Sequence, residues 1–212
     1  MKPVAPVSRT TIRAALLIAV ARTTHEHGRG TIDRPQTVSL KEVAGVNPLQ
    51  AALARAIVPG SAASLLSALA LSACSKVQTD SAAGGVNGPS QWIWGERTRR
   101  ATLRHTALGY AIHHLTSIFW ATLHECVFAK ERRRRGTSPE DVARMCTQAA
   151  VTAASAYFVD YHVTPRRLGP GFEKHVSPGA IFVSYAAFAA GLAAVAIARS
   201  LPAPRGGPSR LE

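Results

Sequence analysis

Negative charge is the scarcest feature of this 212-residue sequence. Asp and Glu number only 12 against 25 Lys and Arg, which gives a formal net charge of +13, yet charged residues make up just 17% of the chain. Cysteine is scarce too, and the single, scattered Cys74, Cys126 and Cys146 indicate neither a disulfide framework nor a zinc site. The composition excludes a collagen, a coiled coil and a disulfide scaffold.

Charged residues are missing from four long stretches of the chain. Asp, Glu, Lys and Arg are absent from residues 56–75, 105–124, 145–159 and 175–198, and the third stretch reaches residue 165 if Asp160 is tolerated. A helix that crosses a bilayer needs about 20 mostly apolar residues. The last stretch has no charged face at the helical period, whereas a soluble helix would show one. The sequence therefore predicts an all-α, polytopic membrane protein, a four-helix transmembrane bundle with spans at about residues 56–75, 106–128, 142–162 and 178–198.

The regions outside the predicted spans differ in composition. Residues 1–54 form a basic N-terminal region that we expect to be partly flexible, and residues 201–212 a disordered tail rich in Pro and Gly. Residues 11–21 read as a surface helix or arm, or alternatively as a cleaved signal peptide with a short apolar core. Residues 81–90 contain three glycines and a proline, which predicts a loop. Serine–proline pairs at Ser138 and Ser177 predict helix N-termini.

The distribution of cations predicts the orientation of the spans. With four spans, both termini share a side with the loop between spans two and three, and that side carries 17 Lys and Arg against eight on the other. The positive-inside rule then places both termini in the cytoplasm. The strongest determinants are four consecutive arginines in that loop, Arg132, Arg133, Arg134 and Arg135.

The same arginine run has a second reading as a nucleic-acid contact, because arginine binds phosphates well. No aromatic interleaving or nucleic-acid motif accompanies it, and it lies between two apolar spans. We therefore interpret it as a topology signal that also attracts anionic lipid headgroups, and expect no nucleic-acid partner.

Histidines and one aspartate are the candidate functional groups. His113, Ser117, Trp120 and His124 follow a helical stripe in span two, and ionisable groups inside a span usually face the bundle. Because span three ends near Asp160, we expect a polar pocket in the outer half of the bundle that contains His105, His113, His114, Asp160, His162 and Arg167. This pocket would bind a proton or a divalent ion, or form a structural network of interhelical hydrogen bonds. The spacing indicates no metal site, no cofactor and no catalytic residue.

Two further contacts are predicted. Asp160 lies close in sequence to Arg166 and Arg167, which suggests a local ion pair. Spans one and four carry small residues at helical spacing, which favours close packing between them, or between protomers. The stripes are Ser61, Ser64, Ala68 and Ser72 on span one, and Ala187, Gly191, Ala194 and Ala198 on span four.

Residues 55–200 resemble small uncharacterised bacterial inner-membrane proteins. The resemblance is carried by His113-His114-x-x-Ser117-x-x-Trp120-Ala121, then Asp160-Tyr161, then Pro165-x-Arg167-Leu168-x-Pro170-Gly171-Phe172-Glu173, and an Ala-rich last span with Tyr185 and Phe188. It implies a multi-pass protein of the inner membrane, and no named family or activity.

Three functions remain in competition at this stage. The first is a non-enzymatic structural or assembly component of the bacterial inner membrane, whose partners are the lipid bilayer with its anionic headgroups and either a second copy or another membrane protein. The second is a small transporter or channel subunit that handles protons or a divalent metal. The third is a soluble, Ala-rich helical binding protein.

Overall fold

The computed structural model describes residues 47–95, 102–128, 131 and 136–201, and within these ranges the chain is helical with no β-strand. The α-helices are α1 (Pro48–Thr79), α2 (Ala83–Asn87), α3 (Gln91–Trp94), α4 (Leu103–Val127), α5 (Pro139–Phe158) and α6 (Pro178–Ala198). Short 3-10 turns occupy Gly88–Ser90, Arg166–Leu168 and Phe172–Lys174, and a π-helical turn at Val159–Val163 follows α5. The predicted all-α class is confirmed.

The four long helices α1, α4, α5 and α6 overlap the four predicted spans, and α1 extends beyond its span at both ends. Two of them, α1 and α6, are long and apolar enough to cross a membrane by length and composition. Helix α4 carries four histidines and α5 carries several polar residues, which lowers their hydropathy. Helix α1 begins at Pro48, within the predicted N-terminal region, because the Asn47 side chain accepts a hydrogen bond from the Leu49 amide and caps it there.

The predicted helix starts of α5 and α6 are confirmed. Ser138 caps α5 by accepting a hydrogen bond from the Asp141 amide, and Ser177 caps α6 by accepting one from Ala180. In the first turn of α5, hydrogen bonds from the backbone and from the Ser138 hydroxyl stabilise the Glu140 carboxylate and lower its pKa. Both helices therefore begin where side chains satisfy the unpaired amides.

The long helices pack antiparallel around a shared interior. Helix α1 lies between α4 and α6, α5 packs mainly on α6, and fewer contacts join α4 to α5. At one end of the bundle the Gln78 side chain of α1 hydrogen-bonds both the amide and the hydroxyl of Ser177. At the other end the Arg199 guanidinium donates to the Arg55 carbonyl, at 3.1 and 3.2 Å. Helices α1 and α6 consequently run in opposite directions.

The predicted close packing between spans one and four is confirmed, with a change of register. A Cβ atom on Gly191 would lie 2.5 Å from the Ala63 Cα, so α1 and α6 touch backbone to backbone there. On α1, Ser64 and Ala68 are buried as predicted, but Ser61 and Ser72 are only half-buried. On α6 the predicted Ala194 and Ala198 are exposed. The buried face of α6 instead follows Ile181, Ser184, Phe188, Gly191 and Leu192, because its larger side chains also pack inward.

The distribution of side chains is unusual for a helical bundle. Among the described residues, eleven of the 19 buried hydrophobic ones are alanines, and the interior also holds polar groups on all four long helices, such as Ser67, Glu125, Gln148 and Ser184. Many large apolar side chains lie on the outer faces, although a few, such as Leu71 and Leu192, are buried. The exposed ones include Leu65, Leu66 and Leu69 on α1, Leu115 and Phe119 on α4, Val151 and Phe158 on α5, and Phe182 and Val183 on α6.

The segment after α1 is a correction to the sequence prediction. Residues 81–90 were expected to form a loop, but they contain α2 and the following 3-10 turn, and residues 85–91 are all buried. Gly109 of α4 lies against the Val86 carbonyl, and the Thr106 hydroxyl donates to the Asn87 side chain at 2.7 Å. Gly84 and Gly85 lie against α1, and Gly88 lies against the backbone of Pro170 and Gly171, so the glycines that suggested a loop instead allow tight packing.

Several predicted features lie outside the described residues. These are the N-terminal region as far as residue 46, including the helix or signal peptide at residues 11–21, the tail from residue 202, and the topology determinants Arg132, Arg133, Arg134 and Arg135.

Candidate functional site

A cavity of about 50 Å³ lies inside the bundle, with room for about three to five water molecules. We call it the central cavity. Its lining combines polar side chains with aromatic ones, namely Ser67, His113, Thr116, Ser117, Asp160 and Ser184, and Trp92, Trp120, Phe172, Tyr185 and Phe188. All four long helices, or the turn that continues one of them, contribute to it.

His113 enters the cavity from α4 and is held by α1. Its Nε2 lies 2.9 Å from the Ser67 Oγ. The Ser67 hydroxyl donates its own proton to the Ala63 carbonyl at 2.7 Å. Because a hydroxyl has one proton, Nε2–H is then the donor to Ser67. This contact joins two helices, as expected for the structural reading of the histidines.

Asp160 enters the cavity from the π-helical turn after α5. Its Oδ2 accepts a 2.6 Å hydrogen bond from the Tyr185 hydroxyl of α6. Among the described residues no Lys, Arg or His nitrogen lies within 4 Å of this carboxylate, so the predicted ion pair with Arg166 or Arg167 is not formed. The reason is geometric, since Pro165 ends the π-helical turn and both arginines follow in a separate 3-10 turn.

The two arginines line a different space, which we call the basic cleft. It has a volume of about 530 Å³, and Tyr161, Arg166, Arg167, Glu173 and Lys174 surround it, together with Gln91 and Gly95. Its residues come from the two connections at the same end of the bundle.

Of the six residues expected in one polar pocket, the structure brings His113 and Asp160 together in the central cavity. The other four lie elsewhere. His105 hydrogen-bonds Thr102 and lies against Trp94, His114 lies beside Tyr110, His162 stacks on Phe158, and Arg167 lines the basic cleft. His114 is not among the residues that line the cavity that His113 enters. The described residues contain no group of three His, Cys, Asp or Glu that could hold a metal ion.

Tyr185, Trp92 and Phe172 were not predicted as site residues. Tyr185 lies 25 residues after its partner Asp160, and Trp92 and Phe172 belong to the connections between long helices. The helical stripe of His113, Ser117 and Trp120 did indicate the site, since all three line the cavity. The fourth member of that stripe, His124, is buried against α5, where its Nδ1 lies 2.8 Å from the Thr152 Oγ1.

The two connections at this end of the bundle close over the cavity together. The Gln91 and Trp92 side chains both donate to the Gly169 carbonyl, at 2.7 and 3.1 Å. Gly171 has a φ of +71°, and Cβ atoms at Gly88 or Gly171 would collide with the opposite connection. Residues from both connections, including Pro89, Trp92 and Pro170, therefore form one wall of the cavity.

A second polar cluster lies at the opposite end of the bundle. The Glu125 carboxylate is 3% exposed, and its oxygens lie 3.5 Å from Arg55 Nε and 3.7 Å from Arg199 Nη1. These three residues come from the start of α1, the end of α4 and the end of α6. The cluster therefore ties three helix ends together on the side that the sequence assigns to the termini.

No protein-family model matches the chain, and no curated protein or solved structure matches it either. The resemblance to small bacterial inner-membrane proteins accordingly stays a prediction. What the protein does has to be inferred from its own residues.

Proposed function

We propose that the chain is an integral, multi-pass protein of the bacterial inner membrane and that all four long helices cross the bilayer. The observation that carries this proposal is the distribution of side chains, with large apolar groups outside and small or polar groups inside. In water, the hydrophobic effect favours the opposite arrangement. In a bilayer, helices associate through small residues and interhelical hydrogen bonds, which is the pattern of this interior.

The length of each helix agrees with a crossing. The hydrocarbon core is about 30 Å thick, and a helix rises 1.5 Å per residue. Helices α4 and α6 have 25 and 21 residues, so at that rise each is long enough to cross. The first turns of α5 carry Glu140, Asp141 and Arg144. Its crossing part therefore runs from Met145 through the π-helical turn to Val163 and is about 28 Å long at the same rise. A soluble bundle would instead need polar outer faces, and Leu69 at 66% and Phe182 at 73% exposure oppose that alternative.

The proposed orientation places both termini in the cytoplasm. The cluster of Arg55, Glu125 and Arg199 brings three helix ends to one side. The arginine run at 132–135 and Arg144, in the second turn of α5, follow the end of α4 in the sequence. With four crossings, they lie on the same side of the membrane as this cluster. The positive-inside rule assigns this side to the cytoplasm, where anionic lipid headgroups interact with the cations.

Within the membrane, we propose a structural or assembly role without catalysis. Its support is the use of polar side chains to join helices, as in the contacts of His113 with Ser67 and of His124 with Thr152. The partner would be a second copy or another membrane protein, seated on the exposed apolar faces.

The central cavity supports a second candidate function, a small carrier or channel subunit for protons or a divalent metal. Asp160 and His113 lie in one interior cavity, and ionisable groups inside a membrane bundle commonly mark ion pathways. The structural role and the carrier role predict different proton or metal flux across a membrane. After reconstitution into liposomes, a structural component gives no proton or metal flux, whereas a carrier gives flux that Asp160→Asn abolishes.

Alkaline carbonate extraction tests the membrane proposal. We expect the protein to stay in the membrane pellet at high pH and to enter solution only with detergent. A peripheral protein of similar size, assayed in parallel, should be released. Recovery of folded protein from the soluble fraction without detergent contradicts the proposal.

A further inference from the structure

The serine and threonine hydroxyls that line the central cavity each donate their hydrogen bond to a backbone carbonyl. Ser117 and Thr116 donate to backbone carbonyls of α4, the former at 2.7 Å to His113. Ser184 donates to the Ser67 carbonyl at 3.3 Å, and Ser67 donates to the Ala63 carbonyl. A hydroxyl has one donor and two acceptor lone pairs. These side chains therefore offer lone pairs, and a ligand that fits them brings N–H or O–H groups.

The cavity also carries a single negative charge with no cation beside it. Asp160 is the acidic residue of the lining, and none of the described residues that line the cavity is Lys or Arg. The Tyr185 hydroxyl donates one hydrogen bond to the Asp160 carboxylate but brings no positive charge to balance it. A half-buried carboxylate attracts a partner of opposite charge, so the complementary ligand is a monovalent cation.

Aromatic side chains supply about half of the remaining lining residues. These are Trp92, Trp120, Phe172, Tyr185 and Phe188. The faces of such rings attract cations, and tryptophan does so best. A divalent metal ion requires a shell of several oxygen or nitrogen ligands, whereas an organic ammonium ion is held by one carboxylate, ring faces and hydroxyl acceptors.

Size limits the ligand further. A volume of about 50 Å³ corresponds to about three to five water-sized positions. This is the size of an ammonium group with one to three carbon atoms attached.

We propose that the central cavity binds a small protonated primary amine, with Asp160 as its counter-ion, the hydroxyls as acceptors and the tryptophans as cation-binding walls. The proposal rests on the second candidate function, because it uses the same central cavity as the binding site. It replaces the proton or metal by an organic ammonium ion, and it requires binding, not transport.

Calorimetric titration of the purified protein in detergent with ethylammonium chloride tests the proposal. A ligand of three non-hydrogen atoms is limited to a Kd of about 1 mM, so we expect saturable binding in the millimolar range. Ethanol and sodium acetate are the neutral and anionic comparisons, and we expect neither to bind. Equal binding of ethanol or acetate, or no ethylammonium binding, overturns the proposal.

Variants then locate the binding. We expect Asp160→Asn to weaken ethylammonium binding at least tenfold, and Asp80→Asn, which changes a carboxylate 93% exposed, to leave it unchanged. Trp120→Leu keeps the carboxylate and removes one wall, and loss of a cation–π contact weakens binding by about three- to tenfold. This second variant decides the question if Asp160→Asn does not fold. Wild-type affinity in folded Asp160→Asn, or in Trp120→Leu, overturns the assignment of the site.

Flux and binding measurements together distinguish failure of the carrier role from failure of the binding site. Ethylammonium binding without flux of ethylammonium, protons or metal in proteoliposomes contradicts the carrier and leaves the binding site in place. Flux of protons or metal without ethylammonium binding contradicts the binding site alone.

Discussion

Gly191 on α6 lies against the backbone of Ala63 on α1, so closely that a Cβ atom would come within 2.5 Å of the Ala63 Cα. The obstruction is main chain, which cannot move aside as a flexible side chain would. We therefore regard this contact as the point that sets the distance between the two most apolar helices.

The first prediction is that Gly191→Leu destabilises the protein by about 1–3 kcal/mol, because overpacking forces the helices apart. Ala190→Leu is the matched control, since it introduces the same side chain at the neighbouring, exposed position. We expect the control to change stability by less than about 0.5 kcal/mol. Thermal unfolding in detergent measures both, and equal effects would show that Gly191 faces lipid.

The second prediction concerns the ion cluster that joins three helix ends. Glu125→Gln removes a buried charge that faces Arg55 and Arg199, whose own side chains are about a third exposed, so we expect a loss of about 1–3 kcal/mol. Asp80→Asn is the control, because its ion pair with Lys76 is exposed and contributes at most about 1 kcal/mol. Chemical denaturation in detergent compares the two. A Glu125→Gln variant as stable as Asp80→Asn contradicts the role of this cluster.

The third prediction tests the contact between α4 and α5. Thr152→Val removes the hydroxyl that lies 2.8 Å from His124 Nδ1, and we expect a loss of about 0.5–1.5 kcal/mol. Thr147→Val changes the same residue type on the same helix, where the exposed hydroxyl only bonds the Ala143 carbonyl of its own turn. The control should therefore unfold at the wild-type temperature. If Thr147→Val is as destabilising, the interhelical hydrogen bond contributes nothing.

The sequence predicted the four long helices from charge-free runs, which indicate where a helix lies. For α5 and α6, serine–proline pairs such as Ser177-Pro178 also show where the helix begins. The segment at residues 81–90 was predicted wrongly because its glycines permit tight packing as readily as a loop. Sequence alone does not distinguish the two, since the difference depends on a neighbour such as Gly109, about 20 residues away.

The candidate site was only partly predictable for a similar reason. The helical stripe through His113 and Trp120 identified which face of α4 points inward. The partner of Asp160 was expected among the nearby arginines, but it is Tyr185 on another helix. Local spacing favours local partners, and the π-helical turn that carries Asp160 has no signature in the sequence that we recognised.

The most direct test of the four-span proposal is cysteine labelling at the two ends of α5, which is the most polar of the four proposed spans. In a variant in which Ser replaces Cys74, Cys126 and Cys146, a single cysteine is introduced either by Thr137→Cys or by Arg166→Cys, both at exposed positions. A membrane-impermeant maleimide is then applied to spheroplasts.

We expect the reagent to label Arg166→Cys from outside and to reach Thr137→Cys only after the membrane is permeabilised. Labelling of both positions from outside, or of neither, would show that α5 does not cross the membrane, and would contradict the four-span proposal.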